Sequence, residues 1–91
     1  MSNASQDLPL KGIQVVEFTH MVMGPAVGAV LVELGADVIR VEPVGGDPTR
    51  ELRGSGAGYF PMYNRNKKSI CLDLKDPRGI DVAKRMCGRA D

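Results

Sequence analysis

The chain has 91 residues, which allows at most one small domain. Apolar residues make up 43% and charged residues 25%, an ordinary soluble composition, and no Trp, two Tyr and two Phe leave an aliphatic core. A formal net charge of +1 argues against a dedicated nucleic-acid binder, which carries a clear basic excess.

The N-terminus opens with a polar stretch, and residues 1–8 are expected to form a flexible tail. It lacks the basic and apolar regions of a secretory signal. Ile13 to Phe18 is short and β-branched and predicts a strand, with Val15-Val16 pointing to burial on both faces as in a parallel sheet. Thr19 to Gly24 forms a loop. Pro25 suits the first position of a helix. Val27, Val30, Leu31 and Leu34 then make one apolar stripe, the face expected to point inward. Gly35 stands where a left-handed C-terminal cap belongs. The apolar run Met21–Val32 is interrupted by Gly24, Pro25 and Gly28 and is too short for a bilayer span, which takes ~20 apolar residues. No membrane association is expected.

Asp37 to Glu42 is a second strand, ended by Pro43. Val44 to Gly58 is a long irregular stretch rich in glycine, and such loops are usually functional or mobile. Tyr59 to Asn64 predicts a short helical turn. Ser69 to Leu74 alternates polar and apolar residues and predicts a third strand. Asp76-Pro77 starts a second long helix, with Asp as N-cap and Pro in the first helical position. Ile80, Ala83, Cys87 and Ala90 would form its inner face. Cys71 and Cys87 form no C-x-x-C pair and are expected to be buried, reduced thiols, consistent with a cytoplasmic protein and with no metal site.

Strands alternating with helices imply an α/β fold, a Rossmann-like parallel sheet with flanking helices. Three strands and two long helices barely cover such a sheet. The chain is therefore expected to be the opening piece of a larger α/β domain. As a whole product it would need a partner or be unstable.

In open α/β sheets, ligands bind beyond the carboxyl ends of the strands. The loop after the first strand, with His20, the only histidine, and Met21, Val22 and Met23, lies there. So does Lys75, after the third strand. Arg65, Lys67 and Lys68 are three cations within four residues that could hold phosphates or simply form a solvated edge. The residues Gly54 to Gly58 make no G-x-G-x-x-G after a strand. Glu42 stands where a ribose-binding acid would stand, so an NAD(P)-binding Rossmann piece has one feature of several it needs. From the residues alone, the chain is an α/β piece with a phosphate-bearing ligand site and no defined reaction.

Four blocks together resemble the start of the family III CoA-transferases, the CaiB/BaiF family. They are Leu10 to His20; Gly24-Pro25 with Leu34 to Glu42; Gly45-Gly46-Asp47-Pro48-Thr49-Arg50; and Asn64 to Ile70 running through Leu72-Asp73-Leu74-Lys75 to Pro77-Arg78-Gly79. Their order and spacing follow the family from about Pro9 to Asp91, so residues 9–91 would be the N-terminal part of its large domain.

The resemblance implies movement of coenzyme A between carboxylic acids, through acyl-enzyme anhydrides and a CoA thioester on one aspartate. It implies acyl-CoA and carboxylic acid substrates and an interlocked homodimer. It also leaves open an acyl-CoA racemase of the same superfamily, or a non-catalytic partner of a full-length transferase. In family members like formyl-CoA transferase, the loop corresponding to His20, Met21, Val22 and Met23 touches CoA. Val22 stands where a Gln is frequent, which implies a different acyl group. The segment corresponding to Leu72, Asp73, Leu74 and Lys75 lines the adenine and phosphate end, with Lys75 the best candidate for a phosphate contact. Pro43 replaces a basic residue found in some members, so that contact is either missing or supplied by Arg40 or the Arg65–Lys68 cluster. Members are several times longer, and their nucleophilic aspartate lies beyond Asp91. The resemblance therefore places no catalytic residue in this chain and predicts that it is inactive alone.

Overall fold

The computed structural model describes residues 8–91; the expected tail falls outside them, except for Leu8, whose carbonyl accepts from Lys11 N–H at 3.1 Å in a turn. Three strands form one sheet, β1 (Gln14–Glu17), β2 (Asp37–Glu42) and β3 (Lys68–Cys71), in the order β1-β2-β3 and all parallel. Val15 pairs with Val38, and Val41 with Ile70. The helices are α1 (Met23–Glu33), α2 (Tyr59–Asn64) and α3 (Pro77–Arg89), with 3-10 turns at Pro48–Glu51 and Gly54–Gly56. The expected parallel α/β architecture is present. No helix among the described residues is long and apolar enough to cross a membrane.

Local chemistry sets the element ends. α1 starts at Met23, so Pro25 occupies the third helical position, not the first. This is tolerated because none of the first-turn N–H groups has an intrahelical acceptor. The helix ends in a Schellman arrangement. Gly35, at φ 106°, donates to the Val32 carbonyl, and Ala36 donates to that of Leu31. Asp76 caps α3, its carboxylate accepting from Arg78 N–H at 2.8 Å, with Pro77 first in the helix. β3 is shorter than its alternating pattern predicts. Leu72 N–H still bonds to the Glu42 carbonyl, but Asp73 then folds back to accept from Lys75 N–H at 2.9 Å, which ends the strand.

The core follows β2. Ala36, Val38, Val41 and Ala83 are its buried apolar residues, and Arg40 and Glu42 of β2 are each only 1% exposed. Four expectations about burial are corrected. The α1 stripe does not face inward: Val27 is 58% and Val30 56% exposed, while Pro25 and Gly28 are buried. The helix presses its small residues toward the sheet, because the bulky side chains of Glu17 and Lys67 fill the space beneath it. Cys71 and Cys87 are both exposed, so neither acts as a buried thiol. Of the inner face assigned to α3, only Ala83 is buried. β1 lies at a sheet edge, so Val15 and Val16 are half-buried and not covered on both faces.

Candidate functional site

A cleft of about 700 Å³ opens across the carboxyl ends of the three strands. Phe18, Thr19 and His20 line it after β1. Val41 to Val44 line it at the end of β2, with Asp47 and Pro48 beyond. Leu72, Asp73, Leu74 and Lys75 line it after β3. Its wall is mostly apolar, and its charged groups come from the loops apart from Glu42 at the end of β2. The Asp73 turn is seated on the first turn of α3, where Gly79 lies so close that a side chain there would run into the Asp73 carbonyl.

The wall after β2 is set by a carboxylate. Glu42 accepts from Arg50 Nε and Nη2, both at 2.7 Å, from Asp47 N–H at 2.8 Å and from the Ser69 hydroxyl. The Arg50 guanidinium is the main reason its carboxyl is held down at about 2, from an ordinary 4.5, and burial opposes the shift. Its oxygens are filled from within the protein. Glu42 is therefore not free to grip a ribose, and the NAD(P) reading loses its one supporting feature.

A second network lies beneath the β1 loop. Arg40 meets Asp47 in a buried ion pair, donates to Asn64 Oδ1 at 2.7 Å, and donates to the Thr19 carbonyl at 3.0 Å. Its Nε is buried with no acceptor, and the guanidinium stands 5.1 Å from the Phe60 ring centre. Phe60 also meets Arg50, at 4.0 Å. Lys67 reaches under α1 to the Glu17 carboxylate (2.9 Å to Oε1, 3.1 Å to Oε2) and to the Pro25 carbonyl at 2.9 Å. Desolvation lowers the Lys67 pKa, opposed by the Glu17 contact.

The structure sorts the residues singled out from sequence. His20, Leu72, Asp73, Leu74 and Lys75 come together on the cleft wall. Met21, Val22 and Met23 do not line it: Met21 turns away at φ 67°, Val22 caps α1, and Met23, its first residue, is 82% exposed. Arg40 and Lys67 do not offer charge to an anion, since each side chain is 1% exposed and tied to carboxylates. Lys68 is exposed but sits at the opposite end of β3, bridging to Asp37 at 3.6 Å. Roughly 13 Å of strand, at ~3.3 Å per residue, separates it from the cleft. Arg65 is exposed in the turn before β3, away from the cleft wall. No motif in the sequence gives Thr49 or Asp47 a site role. The Asp47-Pro48 pair, the same helix-start signal as Asp76-Pro77, marks the turn that carries both.

An open parallel sheet with a ligand-sized cleft across the carboxyl ends of its strands places the chain among the open α/β proteins, whose ligands bind in that position. Residues 10–91 match the model of CoA-transferase family III, and the chain belongs to that family. It is 40% identical, over 91% of its length, to the succinate–glutarate CoA-transferase of Agrobacterium fabrum. It is also 40% identical, over 90% of its length, to the formyl-CoA:oxalate CoA-transferase of a Bradyrhizobium species. It spans 24% and 20% of those two proteins, so it corresponds to about a quarter of such a relative or less. Among solved structures, Rv3272 of Mycobacterium tuberculosis superposes on 91% of the chain with a TM-score of 0.86 and 43% identity. A CaiB/BaiF family protein of Brucella suis does so with a TM-score of 0.82 and 41% identity. The chain covers 24% of each.

Proposed function

We propose that the cleft holds the coenzyme A part of an acyl-CoA, and that this chain supplies one portion of the binding site of an enzyme moving CoA between carboxylic acids. The observation that carries this reading is the placement of Lys75. It is the exposed cation of the β3 loop, on the wall of a largely apolar cleft at the carboxyl ends of three parallel strands. An ammonium there suits a phosphate, and Phe18, Val44, Leu72 and Leu74 suit the less polar remainder of the ligand. His20 faces the same space from the β1 loop.

The chemical step needs a carboxylate nucleophile, and none of the carboxylates lining the cleft among the described residues is free for it. Glu42 and Asp47 are spent on Arg50 and Arg40. Asp73 holds the turn that carries Lys75. The 91 residues alone therefore bind without transferring. The working enzyme is an interlocked homodimer of longer chains.

Calorimetric titration with CoA and with NAD tests the reading. CoA should bind and NAD should not. Lys75→Ala should weaken CoA by about 1.5–3 kcal/mol, the size of a hydrogen bond to a charged group, or roughly ten- to a hundredfold in Kd. An unchanged Kd would remove Lys75 from the site, and equal binding of NAD would return the chain to the dinucleotide class.

A further inference from the structure

The geometry points to Thr49 as a positioning residue, whose hydroxyl clamps the loop between β1 and α1 in the shape that presents His20 to the cleft. This deepens the reading of the cleft as a coenzyme A site and rests on it. Met21 has φ 67°, a left-handed geometry that residues other than Gly, Asn and Asp rarely adopt. Such backbone persists only where its surroundings over-determine it, and it gathers at binding and active sites.

Here the surroundings hold the chain on both sides of His20. Before it, the Thr19 carbonyl accepts from Arg40 Nη2 at 3.0 Å. After it, Met21 N–H donates to Thr49 Oγ1 at 3.2 Å. Asp47 joins the two holds: one carboxylate oxygen pairs with Arg40, and the other accepts from Thr49 N–H at 2.8 Å. Arg40, Asp47 and Thr49 are 1%, 3% and 2% exposed, so the anchor is buried and ordered by its own bonds. Thr49 does not line the cleft, so it acts on a ligand only through the loop. The two holds fall on the two peptide groups that flank one exposed, cleft-lining side chain, so loosening either would let His20 move.

Thr49→Val keeps the size of the side chain and removes the acceptor, whereas Thr49→Ser keeps the hydroxyl and loses a methyl. The test compares amide hydrogen exchange at Met21 and CoA titration for the native protein and both variants. Exchange at Val16 and Val41 reports that the sheet is intact. In Thr49→Val, Met21 should exchange about fivefold faster and the CoA Kd should rise about fivefold, the weight of one neutral hydrogen bond. Thr49→Ser should stay within about twofold of native in both, because its hydroxyl remains. Thr49→Ala replaces the Val variant if that one loses sheet protection. Unchanged exchange at Met21 without the hydroxyl overturns the clamp. So does a Thr49→Ser variant that loses as much affinity as Thr49→Val, or faster exchange with no loss of CoA. If the native protein binds no CoA at all, it is the reading of the cleft that fails, while the exchange at Met21 still decides the clamp.

Discussion

Gly28 sits inside α1 and Gly88 in the last turn of α3, and the same Gly→Ala change should have opposite signs at the two sites. In a helix interior, Gly→Ala alone gains about 1 kcal/mol from backbone entropy. At Gly88 a new Cβ meets nothing within 4 Å, so that gain should be realised, at about 0.5–1 kcal/mol. At Gly28 the Cβ would overlap Glu17 Oε1 and lie 2.9 Å from Lys67 Nζ. Glu17 is tied mainly through Oε2. Thr19 Oγ1 donates to it at 2.6 Å, Lys67 holds both oxygens, and Arg40 stands 3.6 Å away. The methyl group must therefore part the Glu17–Lys67 pair, whose side chains are 5% and 1% exposed. Removing one partner of a buried pair costs about 3–5 kcal/mol, an upper bound for a pair parted with both charges kept. Less the helix gain, Gly28→Ala should destabilise by up to about 2–4 kcal/mol. Urea unfolding followed by far-ultraviolet circular dichroism measures both variants. A Gly28→Ala protein as stable as the native one, or more so, would refute the claim that this ion pair fills the space under α1.

Glu42 predicts an acid limit. Its carboxyl is held at about 2 in the fold against 4.5 ordinarily, so the unfolded chain takes up the proton first as pH falls. The stabilisation is whole above pH 4.5 and drains between there and pH 2. It amounts to about 2–3 kcal/mol after allowance for the half-exposed Arg50. Glu42→Gln should lower the urea midpoint at pH 6 and flatten its fall toward pH 3; an equally steep fall would assign the acid sensitivity elsewhere. Because Cys71 and Cys87 are both exposed, an aromatic disulfide reagent should titrate two thiols per chain without denaturant. Thiols that react only in denaturant would contradict their placement.

What sequence revealed here was decided locally. The Schellman end at Gly35, the Asp76-Pro77 start of α3 and the bounds of β2 each depend on a few adjacent residues, and all three were legible. The fate of the α1 stripe was not. A 3.6-residue period says that Val27 and Val30 share a face, but not that Gly28, on the other side, must approach Glu17. The run Arg65–Lys68 was equally opaque. It divides between a lysine buried against Glu17, 50 residues away, and cations left in solvent. Arg40 did carry a readable sign. In a strand of period two it shares a face with Val38 and Glu42, so it had to be buried, and a buried guanidinium must find a carboxylate.

That inward arginine explains why the cleft is built as it is. A parallel sheet is usually apolar through its centre, yet here the central strand alternates Val38, Arg40 and Glu42 on one face. Each of the two charges reaches past the end of the strand to hold a loop: Arg40 takes Thr19 and Asp47, and Glu42 takes Arg50 and the Asp47 amide. Arg40 grips both the Thr19 carbonyl and the Asp47 carboxylate, so the β1 loop and the β2 loop are cross-tied through one side chain. Replacing Arg40 and Glu42 with aliphatic residues would fill the same volume, and such swaps often preserve stability. It would leave the Thr49–Met21 bond as the main remaining tie between the loops and loosen the wall that carries His20. The polar rows of β2 are therefore better understood as the frame of the cleft than as part of the core.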